Sequence, residues 1–117
     1  MSGRAALTGP VAASEAMVAS PEVDALLARI AADQNDYAAR LDLARTYWAI
    51  GNREDAYTEY LKLATANEYS KEVTSDLESI VEIYDRPDWH RMLGDVYMKA
   101  GKLPQALTHY RRALNEL

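Results

Sequence analysis

Seven residues of this chain recur at one fixed offset. Leu43, Ala44, Tyr47, Gly51, Ala56, Thr58 and Tyr60 stand 50 positions before Leu93, Gly94, Tyr97, Gly101, Ala106, Thr108 and Tyr110, and six of the seven are identical. The seventh pair, Ala44 and Gly94, keeps the position small. Leu93, Tyr97 and Ala100 fall on one helical face, where Gly94 admits a neighbouring backbone that a side chain would block. Gly101 then stops the helix, and Ala106 and Tyr110 give the next helix a small-then-large packing edge. What recurs is a helix, a glycine turn and a second helix, which restricts the chain to packed helical hairpins.

The pattern Leu-Gly-x-x-Tyr, turn Gly, Ala-x-x-x-Tyr over residues 93–110 resembles the tetratricopeptide repeat, a helix-turn-helix unit of about 34 residues. The resemblance implies an all-α fold of antiparallel helical hairpins stacked as a short α-solenoid. The offset of 50 exceeds the family period by roughly one helix with its turn, so six helices are expected, one of them inserted. The sequence also departs from the family pattern. Arg40 and His90 occupy its Trp position, with Trp89 one place early, and Glu68 occupies its closing Pro position. Less regular stacking than in a uniform array is the expected consequence.

A chain of 117 residues, 49% of them hydrophobic, has enough apolar surface for one compact domain with one core. The absence of Cys excludes disulfides, thiolate metal sites and Cys nucleophiles. A net charge of -5 argues against nucleic acid and anionic lipid as partners, and outweighs the basic side chains Arg40, Arg45, Arg91, Arg111 and Arg112. No apolar run approaches the roughly 20 residues that cross a bilayer. A soluble, cytoplasmic protein without membrane insertion is expected.

Residues 1–19, rich in Ala, Ser, Gly and Thr, read as a flexible arm or linker in which Met17 and Val18 could join a short helix under a partner. A signal peptide is the alternative; it has only Arg4 as leading charge, and Gly9-Pro10 interrupts its apolar core. Residues 20–117 read as the helical domain: a half repeat over 20–35, a repeat over 36–66, an inserted helix within 67–86 and a repeat over 87–117. Ser20 caps a first helix that starts at Pro21 and ends near Ala32. Asp36 caps the next, Tyr37 to Ile50, in which Leu43, Tyr47 and Ile50 form one apolar stripe and Leu41, Ala44 and Trp48 an adjoining one. Further helices are expected over Arg53–Ala66, Trp89–Ala100 and Leu103–Glu116. In the insert, Val73, Leu77, Ile80, Val81 and Tyr84 stand at helical spacing, and Glu72, Asp76, Glu78, Glu82 and Asp85 give it an acidic outer side, read as a solvated face with a docking strip for a basic partner as the alternative.

Signs of catalysis are lacking. His90 and His109 are 19 residues apart, with no Cys and no His-x-x-x-His spacing, so neither a metal nor a cofactor is expected. Gly51 and Gly101 are helix stops rather than phosphate cradles, and no carboxylate pair signals a dry cleft. Eight Tyr and no Phe make Tyr47, Tyr60, Tyr97 and Tyr110 the core aromatics, their hydroxyls reaching the rim. Tyr37, Tyr57, Tyr69 and Tyr84 are less constrained and available for contact.

In the family that these repeats resemble, the first helices line a groove that receives a peptide. Carried over by position, the lining is Leu41, Arg45 and Trp48 in the first repeat and Arg91, Asp95 and Met98 in the second. Trp48 and Met98 supply apolar anchors, and Arg45 and Arg91 can fork onto carboxylates. Leu41 and Arg45 stand where chaperone-binding members carry Lys and Asn, so chaperone docking is not implied. The expected function is a noncatalytic adaptor or scaffold holding a peptide or protein segment. The second reading is an assembly subunit that forms a homo-oligomer or joins a larger complex through its end helices, where Leu107, Ala113, Leu114 and Leu117 lie beside Arg111 and Arg112.

Overall fold

The computed structural model describes residues 20–115, so the expected arm over 1–19 and the end of the last helix at Glu116 and Leu117 lie outside the described residues. Among the described residues there are six α-helices and no strand: α1 (Pro21–Ala32), α2 (Tyr37–Ala49), α3 (Arg53–Ala66), α4 (Ser70–Ile83), α5 (Pro87–Lys99) and α6 (Leu103–Asn115). The all-α repeat fold is as expected, with α4 as the additional helix. Helix α5 starts two residues earlier than expected because Pro87 takes its first position, where a missing N–H leaves nothing unpaired. The expectation of one core is corrected: the chain gathers into two compact units that divide inside α3, between Ala56 and Tyr57. Helical repeats close their apolar faces mainly on near neighbours, so burial stays local.

The N-terminal unit is built on α1 and α2. The Ser20 hydroxyl accepts from the Val23 amide at 3.4 Å, and the Asp36 carboxylate accepts from the Ala39 amide at 3.0 Å. Arg29 forks onto the same carboxylate, with both N···O distances at 3.2 Å. That amide, and then Arg29, hold the Asp36 carboxyl below the usual carboxylate range. Val23, Ile30, Ala39 and Leu43 form the core, with Leu26, Tyr47 and Ile50 packed against it. Arg40, at the family's Trp position, is buried at the turn and donates to the Gln34 carbonyl from Nε at 3.2 Å and from Nη2 at 3.1 Å. A cation replaces the expected aromatic by satisfying a loop carbonyl.

The C-terminal unit is organised around α5, which buries Trp89, His90, Met92, Leu93, Gly94, Val96 and Tyr97. Helices α4 and α6 pack on it. Val73, Leu77, Ile80 and Val81 come in from α4, and Tyr60, Leu63 and Ala64 from α3. Trp89 is met edge-on by Tyr57, Tyr60 and Tyr84, with ring centroids 5.3, 6.1 and 6.3 Å away. Glu72, Glu78 and Glu82 are exposed as expected. Asp85 is exposed as well but accepts from His90, while Asp76 is half-buried and accepts from the Tyr60 hydroxyl at 2.8 Å.

Three helices end in the same way. The amides of Gly51 and Asn52 reach back to the carbonyls of Trp48 and Tyr47, those of Asn67 and Glu68 to Ala64 and Leu63, and those of Gly101 and Lys102 to Met98 and Tyr97. The turn needs a left-handed residue, supplied by Gly51 at φ 87°, Gly101 at φ 77° and Asn67 at φ 59°. Gly94 has a different purpose. A Cβ there would lie 2.6 and 2.7 Å from ring carbons of Tyr110, so the small residue admits an aromatic ring rather than the neighbouring backbone expected from sequence.

These glycines separate two kinds of cost. In a helix interior Gly→Ala ordinarily stabilises by about 1 kcal/mol, but Gly94→Ala should destabilise by about 1–3 kcal/mol because the added methyl overlaps Tyr110. Gly101→Ala, with open space around it, should cost about 1–2 kcal/mol through left-handed strain alone, and Gly101→Asn should recover much of that. Denaturant melts of the three variants test the assignment. A stabilised Gly94→Ala would contradict it.

Candidate functional site

Helix α5 turns Asp88, Arg91, Asp95 and Met98 outward at helical spacing, and all four are exposed. Beside Arg91 lies a cleft of about 520 Å³, walled by Tyr57 of α3 and by Tyr110, Ala113 and Leu114 of α6. A neighbouring hollow of about 190 Å³ takes in Asp95, Met98 and Leu61, and Tyr110 borders both. The floor therefore alternates acid, base and acid before ending in a thioether, between two phenol rings.

Charge and burial act together on those rings. The Tyr110 hydroxyl donates to Asp95 Oδ1 at 2.5 Å. Partial burial, then this hydrogen bond and the Asp95 charge, push the Tyr110 phenol up to about 12, against the opposing pull of Arg91. Burial, then the charge of Asp88, also raises Tyr57, again opposed by Arg91. Both phenols keep their protons at neutral pH. Arg91 is exposed on the same helix face as Asp88 and Asp95, and its guanidinium can fork onto a carboxylate brought by a partner.

The six residues expected to line a groove fall on both units. Arg91, Asp95 and Met98 lie together along α5, at the cleft just described. Arg45 is exposed on α2 and borders a shallow hollow shared with Glu22, Leu26 and Ile50. Trp48 is half-buried, with the Arg53 guanidinium 4.8 Å above its ring. Leu41 is corrected: it is 5% exposed and offers no surface to a partner, since α2 buries it together with Ala44. Tyr57 and Tyr110 are the cleft residues that positional transfer from the family missed. A signal for Tyr57 was present, since it is an aromatic outside the repeated core positions.

Among the described residues, no group of His, Asp and Glu is arranged to hold a metal ion, and no helix is long and apolar enough to cross a membrane. Paired helices with an exposed cleft of mixed polarity define a helical-repeat domain of the class that works by surface contact. The tetratricopeptide repeat profile matches residues 16–117, and the chain belongs to that family. Comparisons with curated proteins and with solved structures return no match.

The Tyr110 geometry predicts a late phenol ionisation. In an alkaline absorbance titration one tyrosine should ionise near pH 12, and Tyr110→Phe should remove that step alone. The folded value lies above the unfolded value of about 10, so the stability it contributes is full below pH 10 and is lost as pH climbs toward about 12.

Proposed function

We propose that this domain is a noncatalytic protein-interaction module, an adaptor or scaffold that holds a peptide or protein segment in the α5 cleft of its C-terminal unit. The observation that carries the reading is the succession of Arg91, Asp95 and Met98 along one exposed helix face, with Tyr57 and Tyr110 as aromatic walls. Arginine and tyrosine around an apolar hollow are the side chains that dominate binding energies at protein interfaces. Arg45 and Trp48 serve as a further contact surface on the N-terminal unit. The reading takes 20–117 as the working domain and 1–19 as its linker. It expects protein rather than nucleic-acid partners, in keeping with the net charge of -5, and a place in the cytoplasm.

A second reading, self-association or entry into a larger complex through an end helix, has its own support. Leu103, Leu107 and Leu114 of α6 are 52%, 47% and 67% exposed, more apolar surface than a terminal helix needs. Light scattering over a concentration series decides between the two, since a stable dimer favours assembly and a monomer favours the cleft.

The cleft reading has a direct test. Peptides selected from a random library on the immobilised chain should bind Arg91→Glu and Met98→Asp about tenfold or more weakly, with circular dichroism unchanged. Trp48→Ala reports separately on the N-terminal surface. Selected peptides indifferent to both α5 substitutions would rule the cleft out.

A further inference from the structure

His90 and His109 meet where α6 folds back on α5. Their Nδ1 atoms are 3.0 Å apart, and the ring centroids are 5.2 Å apart with planes within 22°. That separation sets the rings head to head in nearly one plane, joined by a nitrogen-to-nitrogen hydrogen bond. On its far side His90 Nε2 donates to Asp85 Oδ1 at 2.5 Å, and Asp85 Oδ2 accepts from Arg112 of α6. The Tyr97 ring lies against His109, with centroids 5.6 Å apart. Among the described residues, Asp85, Arg112 and Tyr97 are the charged and titratable groups that meet the pair from the α4–α5 turn, α6 and α5. His90 is only 4% exposed, so water cannot readily replace a lost partner.

This arrangement counts protons. Two facing nitrogens at 3.0 Å need one hydrogen between them. With both rings neutral, His90 gives its Nε2 hydrogen to Asp85 and accepts at Nδ1 from His109. With one proton added, His90 donates at both nitrogens, His109 accepts, and Asp85 balances the charge. With two added, N–H faces N–H with no acceptor, and two imidazolium ions and Arg112 share a single carboxylate.

We propose that the His90–His109 pair is a proton-sensitive latch that holds the second half of α6 against α5 and releases it when both rings are charged. The same stretch of helix carries Tyr110, Ala113 and Leu114, so release removes one wall of the cleft. As regulation of binding, the latch rests on the cleft reading above. The pH window follows from His109, which burial first, then the charges of His90 and Arg112, hold below its ordinary 6.5. The unfolded chain takes up this proton more readily, so the contribution to stability is full above about pH 6.5 and is lost as pH falls through the lower folded value. Asp85, held below its ordinary 3.8 first by the His90 hydrogen bond, stays charged across that window.

Amide hydrogen exchange on the intact chain at about pH 7.5 and about pH 5, corrected for intrinsic rates, tests the latch. Residues 106–115 should lose at least about tenfold in protection relative to α4, and the two imidazole resonances should shift together. His109→Gln keeps one donor and one acceptor but cannot charge, so it should abolish the loss; His90→Gln serves if that variant does not fold. Unchanged α6 protection in the parent chain, or a loss that persists in the glutamine variant, overturns the proposal. A peptide selected at about pH 7.5 should bind the parent chain at least about tenfold more weakly at about pH 5, and His109→Gln equally at both. If α6 opens but no peptide binds at either pH, the latch stands and the cleft reading falls.

Discussion

The approach of Tyr110 to Gly94 sets the spacing of α5 and α6, and most of the C-terminal unit follows from that spacing. With the ring seated where a methyl would otherwise project, the Tyr110 hydroxyl reaches Asp95 one residue further along α5. One residue earlier on α6, His109 arrives opposite His90, about one turn before Gly94 on α5. The cleft wall of Tyr110, Ala113 and Leu114 is placed by the same contact. A single missing side chain therefore sets an interhelical distance, a pair of polar links and the edge of a binding surface. Close packing makes this possible, because a well-filled interior transmits a local constraint instead of absorbing it.

Much of this fold was legible because its signals are short-range. Ser20, Asp36, Gly51, Pro87 and Gly101 each mark a helix end through chemistry confined to one turn, and the helices begin or end beside them. The end of α3 carries the same left-handed turn on Asn67, a residue whose tolerance of positive φ is a weaker sequence signal than glycine's. Long-range pairing was not legible. His90 and His109 look unrelated at 19 positions apart, and only the reversal of the chain at Gly101 makes them neighbours. Leu41 shows the limit of carrying a role across by position: its place on an apolar stripe of α2 pointed to burial, and burial prevailed. At roughly 25 cal/mol per Å² a leucine gains more from being covered than from lining an open groove.

The shift of tryptophan by one place also has a physical consequence. One residue along a helix is a rotation of about 100°, so Trp89 and His90 address different neighbours. Trp89 meets the tyrosine edges contributed by α3 and Tyr84, while His90 turns to Asp85 and α6. Both are buried. Aromatic packing and the polar relay thus occupy adjacent sectors of α5 without competing. A family-like tryptophan at position 90 would have no counterpart for the acceptor and donor that histidine presents there.

The excess of acid and the exclusive use of tyrosine over phenylalanine are best understood together. A buried phenol needs an acceptor for its hydroxyl, and a carboxylate on a neighbouring element is a strong one. Tyr60 finds Asp76, and Tyr110 finds Asp95. Asp36 serves Arg29, and Asp85 accepts from His90 on one oxygen and from the Arg112 guanidinium on the other. Asp36, Asp76, Asp85 and Asp95 are thereby held in fixed intramolecular bonds, which orient these carboxylates without changing the net charge of -5. On α4 the remaining acidic residues are Glu72, Glu78 and Glu82, spread along a helix with exposed Ile83 at its end, which favours a solvated face over a docking strip. Phenylalanine at position 60 or 110 would keep the apolar contact and lose the link that fixes the ring's direction. For Tyr110 that direction matters beyond stability, because the ring it orients is the wall shared by both hollows of the cleft.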